Sequence, residues 1–168
     1  MNVQEIILIG ILLSPIILIS ILEVNSVIAY FAICIGAVLS TNLNNNPIVQ
    51  KLYSNAKYIH NYSYLNNLKL LLLIIPFLIV LVLMIKTAKG GFLSFNILGA
   101  LASGVLLAFL AEPFLPGSLT LTLSHTKIWT DLFKQESNAI GVSALLILVL
   151  VILQRGKFSH KSGLRSKK

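Results

Sequence analysis

Apolar residues in this chain come in long runs, without the amphipathic alternation of a soluble domain. Five runs stand out, at 6–22, 27–39, 68–85, 92–111 and 139–153. With their flanking residues they predict membrane spans at about 6–22, 26–41, 68–85, 92–111 and 138–154. Only Glu23-Val24-Asn25-Ser26 parts the first run from the second, so the first two spans are expected to form a tight hairpin. The second run is short for a span, and placing Tyr30 and Thr41 near the interfaces favours a full crossing over a segment that dips in and out. Pro15 and Pro76 fall inside runs, where a bundle tolerates the bend they cause. Lys69 is near enough to the start of its run to snorkel to the interface. The turn at 86–91 is so short that the third and fourth spans should be antiparallel neighbours.

The fourth run carries the clearest packing signal. Ala100, Gly104 and Ala108 recur at every fourth position, Glu112 continues their row, and Gly99 and Ser103 lie alongside. In lipid there is little hydrophobic gain in pressing helices together, so small side chains that admit a close backbone approach mark a contact face. Ala32, Gly36 and Ser40 repeat the pattern in the second run. The fourth helix is therefore expected to be the one the others pack against.

The two longer connections are at 42–67 and 112–137. The first opens with an asparagine-rich turn before Pro47. It continues with Leu52, Tyr53, Ile59, Tyr62 and Tyr64 around Lys51 and Lys57, a composition suited to a helix at headgroup level. In the second, Pro113, Pro116 and Gly117 end the fourth helix, and 118–123 alternates in a strand-like way. From 125 to 135 the period becomes helical, pairing Ile128 with Leu132 and Trp129 with Phe133. This predicts an amphipathic helix anchored at the membrane interface by Trp129, the alternative being a helix packed on the bundle.

Composition sharpens the class. The chain is 57% apolar and 11% charged with a mean hydropathy of +0.91, against roughly 45–50% and about 25% in soluble domains. Its 168 residues suit one all-α domain over 1–158, a small polytopic bundle, followed by a basic, disordered tail at 159–168. The first residues lack a basic leader and no Ala-x-Ala site follows, so the first run is expected to stay as a span.

Charge adds an orientation. The net charge is +8, and Arg155, Lys157, Lys161, Arg165, Lys167 and Lys168 supply six of the thirteen basic residues. With five crossings, the side holding the tail carries eight basic residues and the other side five, together with Glu5, Glu112, Asp131 and Glu136. The positive-inside rule then puts the tail in the cytoplasm and the N-terminus outside, with a plasma or inner membrane expected. The tail's natural partner is the anionic lipid headgroup, and no nucleic acid is expected.

Candidate chemistry changes the picture little. Cys34 is the sole cysteine, which removes any intrachain disulfide or cysteine-based metal cluster. His60, His125 and His160 fall in loops or tail, and no zincin, nucleophile-elbow or paired-acid motif is present. No catalytic residue, metal or cofactor is therefore expected. Glu112 is the one acid at a span end on a packing face, and acids in membranes mark ion or proton paths.

The order of two close spans, a loop, a third span, a short basic turn and then Leu98-Gly99-Ala100-Leu101 with Gly104-Val105-Leu106-Leu107 resembles the colicin V production protein family. That family's Gly-to-Arg-Gly pattern between its first spans is replaced here by Ile-Leu-Glu-Val-Asn-Ser, and the fifth span is additional. The likeness is one of architecture and implies no activity. The sequence thus predicts a non-catalytic multi-pass membrane protein that packs with itself or with other membrane subunits. The alternative is a small transporter or channel component using Glu112.

Overall fold

The computed structural model describes residues 3–42, 62–88, 93–115, 121 and 127–162, and among these there is no strand. The described helices are α1 (Val3–Ile21), α2 (Ser26–Asn42), α3 (Tyr62–Leu83), α4 (Leu93–Ala111), α5 (Lys127–Phe133) and α6 (Glu136–Ser162), with a 3-10 turn, Glu112–Phe114, closing α4. The expected headgroup helix at 52–64, the strand-like stretch at 118–123 and the end of the tail fall wholly or mainly outside the described residues.

Local chemistry sets the boundaries. α1 stops in a Schellman motif. The Val24 N–H donates to the Ile19 carbonyl at 3.0 Å and the Glu23 N–H to the Ser20 carbonyl at 3.3 Å, while Ile19 and Val24 are both fully buried. α2 starts at a side-chain cap, with the Val27 N–H donating to Asn25 Oδ1 at 3.0 Å. Pro113 lacks the N–H that would continue α4, and the chain tightens there into its 3-10 turn. α6 runs through Ser162, so 159–162, read from sequence as tail, are helical. The next residue, Gly163, is the first strong helix breaker after Gly156.

Among the described residues, three helices are long and apolar enough to cross a membrane, over Asn66–Leu83, Phe95–Phe114 and Glu136–Gln154, while α2 is a shorter apolar helix. α4 lies in the middle. It packs against α1, α2 and α6, and half of its span is buried, against 17% for each of the other two. α3 packs along α2.

Two expectations about neighbours are corrected. The turn between α1 and α2 is tight, but the two helices splay, and each packs on α4 instead of along the other. α4 can enter between them because Gly99 presents no side chain to Ser26 at the start of α2. α3 and α4, joined by a short link, meet little along their length. The link is drawn across the α1–α2 turn, where the Lys86 N–H donates to the Leu22 carbonyl at 2.9 Å and the Ala88 N–H to the Glu23 carbonyl at 2.7 Å.

Candidate functional site: a hydrogen-bonded hub at one end of the bundle

The polar groups of the bundle converge where α1 turns into α2. Asn96, in the first turn of α4, is buried and satisfies two backbone groups of that turn. Its Oδ1 accepts from the Ser26 N–H at 2.7 Å and its Nδ2 donates to the Val24 carbonyl at 2.8 Å. A buried backbone group left unpaired costs about 1–3 kcal/mol. Ser26 and Val24 are closed off from solvent, and Asn96 supplies the partners that water cannot reach. The Asn25 N–H donates to Thr87 Oγ1 at 3.1 Å, and Asn25 Nδ2 reaches Gln154 Oε1 at 3.5 Å. α1, α2, the link after α3, α4 and the end of α6's apolar run are thus joined at one level.

Two non-glycine residues with left-handed backbone also lie here, Glu23 at φ 50° and Lys86 at φ 60°. Each sits just past a helix end, and the carbonyl of Glu23 and the N–H of Lys86 both take part in the cross-links described above.

Beneath Asn96, Ser103 Oγ donates to the Gly99 carbonyl at 2.9 Å and stands 3.4 Å from the Ser26 carbonyl. Ser26 is 1% exposed, and its hydroxyl has no hydrogen-bond partner. It is turned onto the bare Cα of Gly99, a position where a Cβ would collide with Ser26 Oγ and lie 2.8 Å from Ser26 Cβ.

Farther into the bundle, the Tyr30 hydroxyl lies 3.2 Å from Ser143 Oγ, and Ser143 itself donates to the Ile140 carbonyl at 2.8 Å. Ser143's one proton is thus engaged, and Tyr30 is the donor between them. Tyr30 is buried against the bundle.

The small residues singled out on α2 and α4 are buried: Ala32, Gly36 and Ser40 on α2, and Ala100, Gly104 and Ala108 on α4. A Cβ on Gly36 would strike the backbone carbonyl of Leu73 on α3, three residues before Pro76. Ser40 Oγ donates to the Ala37 carbonyl, as does Thr41 Oγ1, each at 2.9 Å, so these hydroxyls are absorbed by their own helix.

The opposite end of the bundle is aromatic and carries charges of both signs. Trp129 on α5 is 5% exposed and stacks on Phe109 of α4, with ring centroids 6.2 Å apart, and Phe133 completes the cluster at 5.7 Å from Trp129. Glu112 is half-buried in the 3-10 turn, and Glu136, at the start of α6, is near enough for the two charges to interact. Lys69 Nζ lies 5.8 Å from the centre of the Phe114 ring, a cation–π approach, while Asp131 and Lys134 form an exposed pair at 3.8 Å. Among the described residues no group of His, Cys, Asp and Glu is placed to hold a metal ion.

The sequence reading missed Asn96, Asn25 and the Tyr30–Ser143 pair. Asn96 carried a signal, as the one amide inside the 92–111 run. Asn25-Ser26 before an apolar run was a legible cap. Tyr30 and Ser143 are 113 residues apart, and only the fold pairs them. No protein-family model matches the chain, and no curated protein or solved structure matches it.

Proposed function

We propose that this chain is a five-span membrane protein, N-terminus outside and C-terminus cytoplasmic, that works without catalysis as a packed subunit or scaffold of a membrane assembly. The observation that carries the reading is the use made of its buried polar groups. The side chains of Asn96, Ser103, Ser40 and Ser143 are spent on backbone carbonyls and N–H groups of the bundle. Asn96 ties α4 to the α1–α2 turn, while the three serine hydroxyls are satisfied within their own helices, so none of these four side chains is free for a substrate. The placement of the α1–α2 turn, Thr87 and Gln154 at one level supports a common side for the two short turns and the tail. The outward faces of α3 and α6 are aliphatic and suit lipid or another membrane subunit, and the basic end of α6 suits anionic headgroups.

A second reading rests on Glu112, half-buried at a span end with Glu136 nearby. It makes the chain a small transporter or channel component. Purification in mild detergent followed by native mass spectrometry separates the two. A scaffold is recovered with a second copy or a partner subunit, and the pure chain in liposomes passes no solute. Flux from the pure chain that is lost in Glu112→Gln, with assembly intact, reverses the choice.

A further inference from the structure

Resting on the membrane reading above, we infer that the lipid-facing belt of this bundle is built for a bilayer thinner than the common one, with its height set by α2 and α6. One edge of the belt is fixed by hydrogen bonds. Leu22 is tied to Lys86, and Asn25 to both Thr87 and Gln154, so the ends of α1, α2, α3 and α6 on that side are level. From this edge α2 offers the apolar residues 27–39, thirteen in all, before Ser40, Thr41 and Asn42. The hydroxyls of Ser40 and Thr41 turn back onto carbonyls of the helix and can enter lipid, but Asn42 is exposed and ends the run. Fifteen residues at ~1.5 Å each rise about 22 Å. α6 gives the same height independently, since residues 139–153 are apolar but for the buried Ser143, and Asn138 and Ser137, both exposed, lie beyond.

Both helices face lipid. Phe31, Ile35 and Val38 on α2 are more than half exposed, as are Val142, Leu145 and Ile152 on α6. An ordinary hydrocarbon core is about 30 Å thick. A longer run such as 68–85 fits a thin core by tilting, but a short run cannot stretch to fit a thick one. The two shortest lipid-facing runs therefore set the thickness, and tilt of either helix lowers it further.

The test reconstitutes the full chain into phosphatidylcholine vesicles with monounsaturated chains of fourteen, sixteen, eighteen, twenty or twenty-two carbons. Flotation reports insertion and thermal aggregation reports stability. The expected result is insertion in all five and a highest midpoint at fourteen or sixteen carbons, above that at twenty by about 3 °C or more. A midpoint that is flat, or highest at eighteen carbons or longer, overturns the inference while the membrane reading stands. Failure to float with any vesicle overturns the membrane reading itself. A variant with Thr41→Leu, Asn42→Leu, Ser137→Leu and Asn138→Leu, all at exposed positions, raises both short runs and should move the optimum to longer chains. An unmoved optimum overturns the assignment to α2 and α6.

Discussion

Ser26 and Gly99 meet where α2 begins against α4, and the contact leaves room for nothing larger than hydrogen on the α4 side. Gly99→Ala is therefore expected to destabilise the fold by about 1–3 kcal/mol, the usual cost of overpacking. Ser26→Gly removes both colliding atoms and should recover most of that loss in the double variant, with a coupling of roughly 0.5–3 kcal/mol. Gly36→Ala meets the Leu73 backbone instead, so no side-chain change on α3 should rescue it. Thermal unfolding of the four Ser26/Gly99 combinations in one detergent measures the coupling. Strict additivity would show that the two residues do not touch.

Asn96 should matter more than any other polar side chain in the bundle. Helix-to-helix polar contacts in membranes average only ~0.6 kcal/mol, because separated helices find other partners. Ser143→Ala is expected near that value. Asn96→Leu strands the Ser26 N–H and the Val24 carbonyl together, and a cost of roughly 1–3 kcal/mol follows. Equal losses in the two variants would count against the turn-sealing role.

Glu23 occupies the left-handed position that helix ends usually give to glycine. Its side chain is exposed, so the backbone is what a substitution changes. Glu23→Gly is expected to stabilise the protein by about 1 kcal/mol. Glu23→Val, branched at Cβ, should destabilise it. The reverse order of melting midpoints would reject the Schellman geometry.

Trp129 is the only tryptophan, so its emission reports one site. Stacked on Phe109, it should emit in the blue and resist iodide in detergent and liposomes alike. In liposomes, a site at the membrane edge also predicts stronger quenching by shallow lipid-attached quenchers than by deep ones. Phe109→Ala should shift the emission to the red and admit iodide. An unchanged spectrum in that variant would separate Trp129 from α4.

Sidedness is checked by thiol labelling in intact cells on a Cys34→Ser background. Ser118→Cys should react with an impermeant reagent and Leu164→Cys should not. The reverse pattern inverts the orientation, and reaction at both positions removes the last crossing.

The helices were legible because an apolar bundle follows a simple code: long apolar runs, polar breaks, small residues where backbones approach. That code names elements and says little about which of them touch. From their short connections α1 and α2 read as a packed pair, and so did α3 and α4. The pairs came apart because hydrogen bonds decided the arrangement: Lys86 and Ala88 bind the α1–α2 turn, and Asn96 draws α4 between α1 and α2. Trp129 shows the same limit. Its spacing to Phe133 was readable within one helix, whereas its stacking on Phe109 depends on how the 112–137 connection returns to the bundle.

The α1–α2 turn draws its partners from residues far along the chain: Thr87 is 62 positions from Asn25, Asn96 is 70 from Ser26, and Gln154 is 129 from Asn25. Chains grow from the N-terminus, so α1, α2 and the turn between them exist before any of these partners. The Ser26 N–H and the Val24 carbonyl gain Asn96 only once α4 has been made, and Asn25 gains Gln154 only with α6. An earlier segment of this bundle is thus closed by later ones.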